Sequence, residues 1–444
     1  MKIIIAGAGE VGTYLAKMLS NEDQDIVLID SDQDRLDLID RNYNLMTLNA
    51  SPTSIQALRD AGIAQTDLYI AVTPYETQNI TLCGIARRLG AKCTVARIDN
   101  YEFMDPNNRL LISDMGVDKL IYPEYLAADE ITTALEHNWA RHWGELHYGH
   151  LLLIGVKIHD HSRLEGLRLR EIPSEDHYFH IAAIRRNHET IIPGGDDMIR
   201  RDDILYFFTA EENADRLRDI CGKSSHTIRR VMVMGGSKIA IRFAIQSGSK
   251  FQIKIIEQDQ ERAEYLAQRL PNCEIELGDA RDVDTLRENN IDDYDAFVAL
   301  SDSSEANILA CLTAKEFGIK KTVGEVENLQ FISQAENLNI GTVINKKVIA
   351  SSRIFKLLLD ADETSSKSFA LNDAEVAELK VHDNAKITRH MVKDLQLPKG
   401  MTLAAVIHNG QASLVSGLTR IEAGDVVVVF CLTGTIHKIE RWFT

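Results

Sequence analysis

The sequence predicts an α/β protein with two doubly wound parallel sheets, each followed by a small α+β module. Three observations predict it: apolar strand runs alternate with helical stretches, a glycine loop joins the first strand to the first helix, and the pattern recurs at a fixed offset. Met1–Ile5, Ile26–Ile29, Leu68–Val72 and Thr94–Ile98 are predominantly apolar runs without strict alternation. Strands covered on both faces read this way, whereas strands with one wet face alternate.

The first strand ends in Gly7-Ala8-Gly9-Glu10-Val11-Gly12 and leads straight into the amphipathic stretch Val11–Leu19. This is the glycine pattern of a Rossmann-type domain. Gly7 permits the tight turn, Gly9 lets a pyrophosphate approach the backbone, and Gly12 lets helix and strand pack closely. The helix N-terminus adds N–H donors and the positive end of its dipole. Asp30 closes the second strand, where a carboxylate accepts from both ribose hydroxyls. Asp32 and Asp34 follow, offset only by Arg35, so a 2′-phosphate would be repelled. NAD(H) is therefore expected over NADP(H), and ATP or ADP fits as well. Thr73-Pro74 and Arg97 close the next strands on the carboxyl edge of the sheet, where doubly wound folds bind ligands. Arg97 can reach a phosphate or pair with a neighbouring acid such as Asp99.

The repeat carries Gly7 to Gly235, Asp67 to Asp295, Thr73 to Ser301 and Gly90 to Gly318, all at an offset of 228 residues. Repeats fix the architecture before any motif does. The second glycine loop reads Gly235-Gly236-Ser237-Lys238-Ile239-Ala240, with Ser237 at the place of Gly9 and Ala240 at that of Gly12. Glu257 replaces Asp30 and Glu325 replaces Arg97. A Cβ at the second glycine crowds a pyrophosphate and an acid for an arginine repels it, while Glu257 and Gly278-Asp279 could still hold a ribose, with Lys238 as one compensating charge and Ser301 as a further expected site residue at the place of Thr73. The two sites are expected to be unequal.

Each repeat ends in short strands divided by turn residues. Ile181–Asn187, Ile191–Gly195 and Asp202–Phe208 correspond to Leu403–Gly410 and Gly424–Phe430, and the turn chemistry of Pro193-Gly194 and Asn409-Gly410 predicts hairpins. The expected divisions are a nucleotide-type domain over 1–138, a module over 139–225, a second nucleotide-type domain over 226–364 and a second module over 365–444. Cys221–His226 and Asp360–Ser366 read as linkers.

The chain has 444 residues, a net charge of −17 and six cysteines without a CxxC pair. The acidic balance argues against nucleic acid or anionic lipid as main partner, and the cysteines suit a reducing cytosol. No apolar run approaches the roughly 20 residues of a membrane helix, so a soluble chain without direct membrane insertion is expected. Nine of the fourteen histidines fall between His137 and His188. His159 and His161 would share a face on a strand; surface histidines near a hairpin are the expectation, with metal binding or pH sensing as the other reading.

With its duplicated glycine-loop domain, Asp30, Val72-Thr73, Arg97 and paired modules ending in Asp203-Ile204-Leu205 and Asp425-Val426-Val427, the full chain resembles the regulatory subunits of Trk-type potassium-uptake systems. The resemblance implies tandem nucleotide-binding units, each with a C-terminal module. It also implies a homo-oligomeric ring on the cytosolic face of a membrane potassium translocator, attached through that partner and gated by NAD(H) or ATP/ADP. The competing class, an NAD-dependent oxidoreductase, needs a distinct substrate domain carrying an acid or base against the nicotinamide, and the two modules instead resemble each other.

Overall fold

The computed structural model describes residues 1–20, 24–173, 178–187, 189–360, 368–371, 374–432 and 435–443. The expected linker Asp360–Ser366, beyond its first residue, and the expected division at residue 364 lie outside the described residues. The chain folds as two compact units that cut across sequence order: residues 1–127 with 345–361, and residues 128–344 with 362–444.

In the first unit, β1 (Lys2–Ala6), β2 (Asp25–Asp30), β3 (Met46–Asn49), β4 (Leu68–Ala71), β5 (Cys93–Arg97) and β6 (Lys119–Ile121) form a sheet in the order β3-β2-β1-β4-β5-β6. All neighbours are parallel. Chain order reverses between β1 and β4, and the crevice at that switch opens at the carboxyl ends of both strands. The predominantly apolar runs have their physical cause here. Ile3 and Ile5 face one core cluster, Ile4 and Ala6 the other, and both clusters are buried. The acid that opens β4 staples the sheet, since Asp67 Oδ2 accepts from the Lys2 amide at 2.8 Å. Asp295 does the same for Arg230 in the other repeat, at 2.9 Å. The helix Lys346–Asp360, far along the chain, belongs to this first unit: its Ala350, Ile354 and Phe355 join the cluster of Ile3, Leu15 and Ile121.

In the second unit, β12 (Arg230–Met234), β13 (Gln252–Glu257), β14 (Glu274–Leu277), β15 (Ala296–Ala299), β16 (Lys321–Glu325) and β17 (Thr342–Ile344) repeat the same parallel order, β14-β13-β12-β15-β16-β17. Two antiparallel sheets accompany it. One contains β7 (His142–Leu146), β8 (Leu151–Lys157), β9 (Phe179–Arg186), β10 (Glu189–Ile191) and β11 (Ile204–Ala210) in the order β10-β9-β11-β8-β7. The other contains β18 (Ser368–Leu371), β19 (Ala374–Lys380), β20 (Met401–His408), β21 (Gln411–Leu414) and β22 (Val426–Leu432) in the matching order β18-β19-β22-β20-β21. The fold class is the one the sequence predicts.

The turn at Asn409-Gly410 does join β20 to β21, with both residues at positive φ. Pro193-Gly194 is not its counterpart. β9 returns as β10 immediately after Asn187, itself at φ 49°, and Arg186 pairs with Glu189. Pro193-Gly194 instead lies in the longer connection to β11, because asparagine tolerates the left-handed turn that proline forbids.

The two modules pack sheet against sheet. Leu151, Leu153, Tyr206 and Phe208 share one buried cluster with Val376, Ala405, Val428 and Phe430. The alternate residues Leu152, Ile154 and Phe207 face a separate cluster on the far side. Each module also closes on the same stitch. Arg186 holds Asp203 through two bonds of 2.8 and 2.6 Å, and His408 Nδ1 holds Asp425 at 2.6 Å.

The histidines correct the surface reading only in part. His142 and His180 are half-buried, His142 stacking near Tyr206 and His180 Nε2 lying 3.1 Å from Thr402 Oγ1. His159 and His161 fall in the turn after β8, not on a strand, and are exposed. Among the described residues no group of three or more potential ligands could hold a metal; His177 and His188 lie outside them. Burial, reinforced by the charges of Arg185, Arg141 and Lys321, pushes His142 down to about 3, and burial pushes His180 down to about 4. Both rings stay neutral in the fold while the unfolded chain titrates near 6.5, so stability is lost as pH falls below about 6.5. The loss should approach about 2 kcal/mol for each ring by pH 5. His408 acts in the opposite sense, because Asp425 raises it. Urea melts at pH 7.5 and 5.0 check this: a His142→Gln, His180→Gln double variant should show a visibly shallower pH dependence, and an unchanged one would assign the acid sensitivity elsewhere.

Candidate functional site

The candidate site is the β1 loop and its surroundings at the switch point of the first sheet. Gly7 turns at φ 109°, and a Cβ there would lie 3.1 Å from the Thr73 amide nitrogen across the crevice. Its N–H is fixed to Ile29 O at 2.9 Å. The Ala8 amide donates to Asp30 Oδ2 at 2.5 Å and the Asp32 amide to Asp30 Oδ1 at 2.9 Å. Asp30 thus shapes the loop as well as being available to a ribose, since each carboxylate oxygen has a second lone pair. The Thr13 amide makes the first intrahelical bond, to Gly9 O at 2.8 Å. That leaves the amides of Glu10, Val11 and Gly12 in the opening turn without a carbonyl one turn back, as at any helix start.

The three glycines have different reasons. A Cβ on Gly12 would fall 1.9 Å from Gly7 O, so the close helix–strand packing demands glycine. A Cβ on Gly9 would meet nothing within 4 Å. Packing does not require that glycine, which leaves open approach to the backbone as its physical use. Ala8 and Val11 are buried, and Val11 belongs to the core cluster, so at these two expected contacts only the backbone can face a ligand. The same holds for Ile239, which is fully buried.

Thr73 is held by a residue the motif reading missed. Buried Asn79 accepts from the Thr73 amide at 3.0 Å and from Thr73 Oγ1 at 2.7 Å, and donates to the carbonyls of Thr73 and Arg97 at 3.0 and 2.9 Å. The ends of β4 and β5 are thereby clamped together, while Pro74 stays exposed. Asn307 repeats all four bonds on Ser301 and Glu325, at 2.7–3.0 Å. The signal was present, since Asn79 and Asn307 share the 228-residue offset; an asparagine on a helix simply reads as a surface residue. Arg97 faces Glu124, at 3.9 Å, as its acid. The other missed residue is Lys347, whose Nζ lies 2.7 Å from Glu10 Oε1.

The second loop keeps the framework and fills it from within. The Gly236 amide donates to Glu257 at 2.6 Å, as Ala8 does to Asp30. The Arg262 guanidinium covers Gly236 O through bonds of 2.9 and 2.7 Å, and a Cβ on Gly236 would strike Leu266 at 2.3 Å. Ser237 accepts from the Ala240 amide at 3.3 Å, so a side chain takes a donor that Gly9 leaves uncapped. Asp279 is engaged by Arg281 at 2.6 Å, which lowers its pKa, and Lys238 is exposed.

Two family models match the chain in alternation, the TrkA-N domain over residues 3–123 and 231–346 and the TrkA-C domain over residues 153–222 and 376–444. The chain belongs to the TrkA family. The Trk system potassium uptake protein TrkA of Haemophilus influenzae is 30% identical over an alignment covering 100% of this chain and 98% of that one. Three solved structures share the fold of this TrkA-family chain at low identity. A GsuK RCK domain aligns at a TM-score of 0.60 and 14% identity over 100% of this chain and 94% of that one. A GsuK channel bound to NAD gives 0.61 and 14% over 100% and 78%, and GsuK bound to ADP gives 0.51 and 12% over 81% and 70%. As a TrkA-family member the chain is grouped with potassium uptake proteins. No helix among its described residues is long and apolar enough to cross a membrane.

Proposed function

We propose that the chain is the nucleotide-sensing subunit of a Trk-type system, binding NAD(H) or ATP/ADP at the β1 loop and gating a membrane potassium translocator as a homo-oligomeric ring on its cytoplasmic face. The observation that carries the nucleotide reading is Gly9: space around it is open, Asp30 organises the loop behind it, and the helix beyond it begins with amides that have no carbonyl one turn back. Gating requires that the nucleotide bind two conformations with different affinity. The NAD- and ADP-bound GsuK structures support this class of ligand for the fold. The internally filled second loop supports one tight site per chain, with Gly235, Gly236, Ser237, Glu257 and Asp279 forming a weaker one. The test is calorimetry of NADH and ADP with the full chain and with Asp30→Ala. Losing the acceptor of ribose hydroxyls together with the Ala8 anchor should weaken binding about tenfold or more, because hydrogen bonds to a charged group contribute about 1.5–3 kcal/mol each. An unchanged dissociation constant for both nucleotides would remove Asp30 from the site.

A further inference from the structure

We propose that Lys347 is a phosphate-contacting residue of the first nucleotide site, supplied by the second repeat and held in place on Glu10 until a nucleotide arrives. The inference rests on the nucleotide reading above. Lys347 occupies the first turn of the Lys346–Asp360 helix, whose start is set by Asn345 Oδ1 accepting from the amides of Lys347 and Val348, both at 3.0 Å. A lysine there opposes the positive end of the helix dipole and needs a compensating anion. Glu10 supplies it at 2.7 Å, with the lysine side chain 11% exposed and the glutamate 64%. The anion is therefore the wet partner and the cation the buried one.

Glu10 is also the first residue of the helix after the glycine loop, in the turn whose amides would receive a phosphate. A phosphate carries more charge and more acceptor oxygens than a carboxylate and competes for Lys347 on favourable terms. Glu10 is then displaced into water, which its exposure allows. The fixed end of Lys347 is anchored through Ala350, Ile354 and Phe355 in the core of the first unit. Its helix follows β17 of the second repeat directly in the chain. The sequence carries the same logic in exchanged form. Glu10 lies four residues beyond β1 and Lys347 three beyond β17, whereas the equivalent places in the opposite repeats hold Lys238 and Glu124.

Calorimetry with ADP, NADH and adenosine on the full chain decides it. Lys347→Gln should weaken ADP and NADH about ten- to a hundredfold and leave adenosine unchanged, as expected for a lost charge-assisted bond to phosphate. Lys347→Arg should restore most of that loss, and Glu10→Gln should tighten ADP severalfold by removing the competitor. A Lys347→Gln chain that binds ADP like the wild type, or that loses adenosine equally, overturns the proposal while Asp30→Ala still tests the site. A wild-type chain that binds neither ADP nor NADH overturns the nucleotide reading and this inference with it.

Discussion

Gly12→Ala is expected to destabilise the first unit by about 2–3 kcal/mol, whereas Gly9→Ala changes its stability by less than about 1 kcal/mol. A Cβ at residue 12 would stand 1.9 Å from Gly7 O, so helix and strand must separate; the gain of about 1 kcal/mol in helix propensity does not offset that. At residue 9 the Cβ enters open space. Binding reverses the order of interest, because that space is where a pyrophosphate would approach. Gly9→Val should keep the urea midpoint and lose tight NADH binding, while Ser237→Val in the second loop should leave tight binding nearly intact. Urea melts and NADH titrations of the four variants provide the check. Equal losses of binding from Gly9→Val and Ser237→Val would show that the two loops are equivalent despite their geometry.

Asn79→Ala should be as damaging to the first unit, costing about 3 kcal/mol or more. The side chain is fully buried and makes four hydrogen bonds to Thr73 and Arg97. Truncation strands at least two buried backbone groups, each costing about 1–3 kcal/mol when left unpaired. Asn307→Ala removes the same clamp in the second unit and should cost a similar amount there. Asn79→Asp keeps the acceptor but puts a charge against two carbonyls, and should be no better than alanine. Denaturation of each variant, followed by NADH titration of whatever remains folded, tests both points. An Asn79→Ala midpoint equal to the wild type would mean that the β4 and β5 ends are held by other contacts.

The sequence alone determined the parallel sheets, because strands buried on both faces must be apolar throughout, and it determined the glycine loop, because a 1.9 Å approach tolerates no Cβ. It determined Asp30 as well, whose bonds to Ala8 and Asp32 are local in the fold and fixed by the βαβ unit. The duplication was legible for the same reason, since each copy repeats its own short-range requirements. Tertiary structure decided the rest. Which face a helix buries is written in its periodicity, but not which sheet receives it, so the Lys346–Asp360 helix joining the first unit and the meeting of Lys347 with Glu10 could not be read. The turn after β9 falls at Asn187 and not at Pro193-Gly194, because asparagine accepts the left-handed backbone that the return to β10 needs. The burial of His142 and His180 followed from the packing of whole sheets, and a histidine carries no sequence mark of the water it will lose.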